Sequence, residues 1–171
     1  MPDEDPYVYP GTRVLRNRYD VRDATQLARL EADITARRAA VLIHTPLPGA
    51  YDLQHLQAFH RALFSDLYEW GGEIRTVAIA KGDLFALPQH IEPYLNEVLK
   101  HLPSENHLQG LPPDRTIDRL THYLAELNSV HPFRDGNETG RFSRRLDFGD
   151  DPSSGTENLQ ECRDHGSIRW S

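Results

Sequence analysis

A chain of 171 residues, 38% of them hydrophobic, fits one domain with a sizeable core. Its 19 Lys+Arg against 26 Asp+Glu leave a net charge of −7, which argues against broad binding to nucleic acid or anionic membranes but allows a small basic nucleotide pocket. The single cysteine, Cys162, excludes an intrachain disulfide, and no Cys/His spacing among the nine histidines matches a zinc site.

The first five residues, Met1-Pro2-Asp3-Glu4-Asp5, are acidic and lack an apolar stretch, so no signal peptide is expected. The longest aliphatic run, residues 39–43, is far too short to span a bilayer. The expectation is a cytoplasmic protein, with delivery by a secretion route that reads a distant signal as the alternative. Residues 7–11 (Tyr-Val-Tyr-Pro-Gly) form a turn-rich entry. Asp23 or Thr25 then caps a first helix whose Leu27, Leu30, Ile34 and Val41 recur at helical spacing. Pro46, Pro48 and Gly49 end it.

A second helix starts at Asp52, carries Leu56, Phe59, Leu63 and Leu67 as its stripe, and stops at Gly71-Gly72. Residues 74–80, Ile-Arg-Thr-Val-Ala-Ile-Ala, are β-branched and roughly alternating, so they read as a short strand. With a turn at Lys81-Gly82-Asp83 and the return through residues 84–87, they make a small hairpin. A third helix follows Pro88, with Ile91, Leu95, Val98 and Leu102 on one side. Residues 103–113 are a polar connector. A fourth helix runs from about Asp114 with Ile117, Leu120, Leu124, Leu127 and Val130 as its stripe. It delivers His131 at its C-terminal end, where Pro132 stops it. From Leu146 onward the chain is polar and laced with Gly, Ser and Pro, has no amphipathic stripe, and is expected to be disordered. The fold class is therefore mostly α with one small β-hairpin.

The segment after the fourth helix, His131-Pro132-Phe133-Arg134-Asp135-Gly136-Asn137, concentrates chemistry in one turn. An imidazole suits proton removal from a hydroxyl. The bland alternative is a histidine that a helix C-terminus favours through its dipole. Phe133 pins the loop into the core. Asp135 can hold Mg²⁺, which takes one or two carboxylates together with substrate phosphates; otherwise it is an Asx-turn residue. Gly136 permits close backbone approach to a phosphate or supplies a positive φ. Asn137 can donate to a phosphate oxygen, cap a following helix, or do both. Arg141 and Arg144 are suited to neutralise phosphate charge, with Gly140 adding backbone N–H groups, or they form a basic exposed helix face.

These residues resemble the Fic motif, His-x-Phe-x-Asp/Glu-Gly-Asn-Gly-Arg-x-x-Arg, whose first seven positions match residues 131–137. The likeness extends to Tyr9-Pro10-Gly11-Thr12, to residues 67–77 leading into the hairpin, and to Glu126-Leu127-Asn128-Ser129-Val130. It implies a Fic-like helical bundle over residues 7–145 with the hairpin as a flap, followed by the tail 146–171. It also implies transfer of AMP from ATP to a hydroxyl of a target protein. His131 would be the general base and Asp135 the Mg²⁺ ligand, with Gly136, Asn137, Gly140, Arg141 and Arg144 around the phosphates. Thr76, Val77, Ile79 and Lys81 of the flap would dock an extended target segment by β-augmentation. Members of this family include bacterial toxins and secreted effectors, and some modify DNA gyrase and topoisomerase IV. A glycine before Asn137 and no lysine after it differ from the phosphorylating Doc branch.

The register departs from the motif after Asn137, where Glu138-Thr139 are extra. Two residues rotate a helix by about 200° and advance it about 3 Å. If a helix starts at once, Arg141 and Arg144 turn away, and Thr139 and Phe142 take the family arginines' places. If the pair bulges first, Gly140, Arg141 and Arg144 still reach. The Glu138 carboxylate is repulsive near a γ-phosphate either way. Ser153 and Glu157 fit the spacing of the family's inhibitory Ser/Thr-x-x-x-Glu pattern, although Pro152 and Gly155 are poor helix context. A small antitoxin protein is the other restraint that the resemblance implies, with no direct nucleic-acid or membrane partner. Three readings follow: an adenylyltransferase; a catalytically impaired Fic-like domain that binds nucleotide or a partner; and, last, a metal-dependent phosphohydrolase that lacks the second ligand cluster such enzymes use.

Overall fold

The computed structural model describes residues 5–81 and 83–137, with only the backbone of residues 81, 83 and 84. The entry segment folds back on itself through an isolated bridge between Val8 and Leu15, and buries Tyr7, Tyr9, Val14 and Leu15. Helix α1, Ala24–His44, is capped by the Asp23 side chain, which accepts from the Gln26 amide. Leu27 is buried, while Leu30, Ile34 and Leu42 pack at the edge of the core. Val41 leaves the expected stripe and is 56% exposed. A straight helix drifts by about 20° per heptad, and Leu42 takes the inward place instead.

Helix α2, Leu53–Phe64, is capped by Asp52, whose side chain accepts from the His55 amide. It buries Leu53, His60, Leu63 and Phe64. The expected stripe is off by one at its centre: Phe59 is 45% exposed and His60 takes the inward place. The helix also ends at Phe64 rather than at Gly71-Gly72. The Leu67 and Tyr68 amides both donate to the Phe64 carbonyl, so Leu67 is buried from a turn, not from the helix. Gly71 then passes so close to the end of α2 that a Cβ there would lie 2.8 Å from the Ser65 nitrogen.

The expected strand over residues 74–80 is mostly not a strand. The antiparallel ladder is confined to β1, Ala80–Lys81, against β2, Asp83–Leu84. The reason is where the backbone donors go. The Arg75 amide donates to the Pro132 carbonyl and the Thr76 amide to the Tyr7 hydroxyl, so neither is available to a partner strand. The Phe85 amide reaches back to the Ile79 carbonyl and closes the hairpin below the ladder.

Helix α3, Pro88–Leu99, starts with proline in its first turn and buries Ile91, Leu95 and Leu99. A short 3-10 segment, Pro103–Leu108, occupies the polar connector. Helix α4, Pro113–Val130, buries Tyr123 and Val130. Three residues of its expected stripe are exposed: Ile117 at 62%, with Leu120 and Leu124 less so. Helix α4 packs against α3 through its C-terminal half, by Leu127 and Val130, so the N-terminal part of the stripe projects past that contact. One core gathers the entry segment, α1 and the end of α2; the other joins α2, α3 and α4. The segment after α4 lies beside His60 and Phe64 of α2.

Candidate active site

Helix α4 ends by delivering His131 in a left-handed conformation, φ +48°. Its amide still donates to the Leu127 carbonyl, as a helix-ending residue's does. Its ring turns back on the helix, and Nδ1 is hydrogen-bonded to the Asn128 carbonyl. A carbonyl only accepts, so Nδ1 carries the proton in the neutral ring and Nε2 carries the lone pair. Among the described residues Nε2 has no hydrogen-bond partner. The Phe85 ring lies flat over the imidazole, with centroids 3.7 Å apart and planes 14° apart.

The loop 131–137 is closed by its own members. Asn137 Oδ1 accepts from the Phe133 amide at 2.8 Å, and its Nδ2 donates to the Phe133 carbonyl at 2.7 Å. Asp135 Oδ1 accepts from the Gly136 amide at 2.7 Å. Gly136 has φ +76°, and a Cβ on it would sit 2.5 Å from the Phe64 ring. Glycine is therefore required twice, by conformation and by space. Arg134 points out of the loop and pairs with Asp5 at 2.7 Å.

His60 anchors the loop from below. The Gly72 amide donates to its Nδ1 at 2.9 Å, so Nε2 carries the proton and donates to the Asp135 carbonyl at 3.0 Å. The ring stacks on Phe133 at 3.8 Å and on Phe64 at 4.4 Å. It is 3% exposed. Burial pushes its pKa down to about 4, against a smaller opposing effect of the bond to Asp135. His60 is thus a neutral, fully partnered interior histidine.

Arg75 anchors the loop from the flap side. It is 1% exposed, and its guanidinium donates to the carbonyls of Val77, Ala86, Val130 and His131. Burial, and then the charge of Arg134, push its pKa down, yet an arginine stays charged at physiological pH. Sequence reasoning assigns no role in the site to Arg75, Phe85 or Tyr7, and reads His60 only as a helix-surface or satisfied histidine. A lone arginine inside the apolar run 74–80 is the available signal for Arg75. His60 has no such signal, because only the fold brings residues 72 and 135 to its two nitrogens.

Of the sequence-predicted residues, His131, Asp135, Gly136 and Asn137 share this loop. Thr76 sits at the base of the hairpin, its hydroxyl 3.2 Å from that of Tyr7, and Val77 and Ile79 lie on the arm leading to β1, with Lys81 in the ladder. Gly140, Arg141, Arg144, Ser153 and Glu157 lie outside the described residues, as does the tail 146–171. Among the described residues no three His, Cys, Asp or Glu side chains cluster to hold a metal. No described helix is long and apolar enough to cross a membrane. Asp135 nonetheless fits a Mg²⁺ that brings its own phosphate ligands: its carboxylate is half-exposed, and one oxygen has no partner among the described residues.

Known proteins resemble this chain in both sequence and fold. The Fic/DOC family model matches residues 50–144. A Salmonella typhimurium protein named "Probable protein adenylyltransferase Fic" is 41% identical over 134 residues, which cover 78% of this chain and 66% of that protein. The protein adenylyltransferase VbhT of Bartonella schoenbuchensis is 39% identical over 134 residues, 78% of this chain but 28% of VbhT. The chain thus spans less than two thirds of the length of both relatives. Among solved structures, BepC of Bartonella tribocorum with bound AMPPNP superposes with a TM-score of 0.73 at 28% identity, covering 84% of this chain and 75% of that one. The N-terminal Fic domain of a VirB-translocated Bep effector from Bartonella quintana, with bound ADP, gives 0.70 at 28% identity over 79% of this chain and 71% of that one. With the family model covering more than half of its length and the loop 131–137 closed around His131, the chain belongs to the Fic/DOC family.

Proposed function

We propose that this chain transfers AMP from ATP to a hydroxyl side chain of a target protein. The observation that carries the reading is the fixed tautomer of His131. Its Nδ1–H is held by the Asn128 carbonyl, which leaves Nε2 as a proton acceptor at the end of α4. The names of the relatives and the adenine nucleotides bound in the neighbouring structures support the substrate class.

In this reading the target hydroxyl gives its proton to His131 Nε2 as its oxygen bonds to the α-phosphorus. The α–β bridging bond breaks, and pyrophosphate leaves. Asp135 holds Mg²⁺, which when bound offsets charge on the phosphates and the leaving group. Asn137 is committed to Phe133 at both ends, so it supports the phosphates through the loop's shape and its second Nδ2–H. Gly136 contributes its backbone, with Gly140, Arg141 and Arg144 completing the cradle. Thr76, Val77, Ile79 and Lys81 present the target segment. Ser153 and Glu157, or a small antitoxin, restrain the site. The protein is assigned to the cytoplasm, or to a recipient cell after delivery by a secretion route, and the gyrase and topoisomerase IV class is the target class that the resemblance implies.

The extra Glu138-Thr139 pair favours one second reading, an impaired Fic domain that binds nucleotide or a partner without turnover. Incubation with α-³²P-labelled ATP, Mg²⁺ and a bacterial lysate separates the two. Label on a lysate protein that vanishes with His131→Ala supports transfer. A silent native chain beside an active variant lacking Glu138-Thr139 establishes impairment. Equal labelling by His131→Ala would remove His131 as the base.

A further inference from the structure

Among the described residues Arg75 is the largest fully buried side chain, and no carboxylate lies among its hydrogen-bond partners. A buried cation is costly unless every donor finds an acceptor. Here all the acceptors are main-chain carbonyls, and they come from three segments. Nη1 donates to Val77 at 2.7 Å on the outgoing arm of the hairpin, and Nη2 to Ala86 on the returning arm. Nη2 also donates to Val130 at 3.1 Å, and Nε to His131 at 2.7 Å. The Arg75 amide adds a bond to the Pro132 carbonyl at 2.9 Å.

We propose that Arg75 is a positioning residue that ties both arms of the flap to His131, so that flap and base keep or lose their geometry together. The proposal rests on the reading of His131 as the base. Three observations support the coupling. The last carbonyls of a helix have no partners within it and favour a cation, and Arg75 supplies one to Val130 and His131. His131 holds a left-handed conformation that side-chain-bearing residues rarely adopt, and Arg75 grips the carbonyls on both sides of its Cα, those of Val130 and His131. In that conformation Nδ1–H meets Asn128. On the flap side, the residue before the gripped Ala86 is Phe85, whose ring covers the imidazole. A target strand laid along the hairpin therefore bears on two arms that share one guanidinium with the base. Only a planar fork with several fixed donors spans such acceptors; a lysine keeps the charge but not the reach.

The test is Arg75→Lys, read by ¹⁵N and ¹³C NMR of histidine-labelled protein above pH 7.5. The native ring of His131 is expected as the Nδ1–H tautomer. In the folded variant it is expected to relax to a mixture dominated by the Nε2–H form of free imidazole. In parallel, kcat for AMP transfer falls about 30-fold while KM for ATP stays within about three-fold, as expected when positioning rather than nucleotide binding is lost. A folded variant with native His131 ring signals overturns the proposal. If Arg75→Lys does not fold, native-state hydrogen exchange on the wild type decides. One opening free energy shared by Arg75 Nε–H, His131 Nδ1–H and the Phe85 amide supports coupling, and clearly different ones overturn it. A wild type that transfers no AMP defeats the functional reading, while the tautomer measurement still decides the role of Arg75.

Discussion

The loop 131–137 and the hairpin that faces it are held by opposite means. The loop closes on itself: Asn137 clasps Phe133 four residues back, Asp135 accepts from Gly136, and glycine lets the turn pass under Phe64. The hairpin has a ladder of two residues on each side. Its base is fastened from elsewhere, by Tyr7 on Thr76 and by the bonds that Arg75 makes to Pro132, Val130 and His131. The Phe133–Asn137 part of the loop keeps its shape mainly through these local contacts, while His60 and Arg75 add one long-range anchor at each side. A remotely fastened hairpin keeps its shape only while distant elements stay packed.

Breaking the remote fastening should have the largest effect. Arg75→Met leaves four carbonyls without their side-chain donor, those of Val130 and His131 buried and those of Val77 and Ala86 part-buried; at roughly 1–3 kcal/mol for each buried one and less for the others, a loss of about 4 kcal/mol is expected in urea unfolding. A loss below about 1 kcal/mol would mean that water or neighbouring donors replace the guanidinium easily.

Acid probes the anchor beneath the loop. His60 has a folded pKa of about 4 against 6.5 for an imidazole in water. Above pH 6.5 both folded and unfolded chains hold it neutral. As pH falls below 6.5 the unfolded chain takes up the proton first, so stability declines down to about pH 4, by about 3 kcal/mol in total. Unfolding free energies of the wild type and His60→Gln, measured from about pH 7.5 to 4.5 without Mg²⁺, should differ in slope by that contribution. Parallel slopes would show that His60 is not held neutral.

Within the loop, Gly136→Ala meets both a positive φ and the Phe64 ring, and about 2 kcal/mol of destabilisation is expected by thermal denaturation. Gly11 is the control: it shares the positive φ, but nothing lies within 4 Å of the place a Cβ would take, so Gly11→Ala should cost less. The smallest effect is expected for Tyr7→Phe, which removes one hydroxyl from Thr76 at the base of the hairpin. About 1 kcal/mol is expected, with faster amide exchange at Thr76 than in the loop 131–137. Equal change in both regions would erase the distinction between them.

The helices are legible in the sequence because their signals are local. Asp23, one of two expected caps, caps α1, the second helix begins beside Asp52 as expected, Pro88 opens α3, and Ile91 and Leu95 recur on its inner face. The site loop is legible for the same reason, since residues 131–137 hold its chemistry and most of its closing bonds. The stripes fail where tertiary contact chooses the inward face. His60 displaces Phe59 because it finds a donor in Gly72 and an acceptor in Asp135, and Ile117 stays outward because α4 meets α3 only through its end. The expected strand over residues 74–80 fails because its backbone donors have better-placed partners in Tyr7 and Pro132.

Residue order alone thus dictates where the helices start and the identity of the loop that carries His131 and Asp135, since each depends on contacts within a few residues. Packing of the chain sets the tautomer of His60, the seat of Arg75 and the fastening of the hairpin. Each of these depends on where a single donor or acceptor finds its partner between 12 and 75 residues away, and spacing along a chain does not encode that distance.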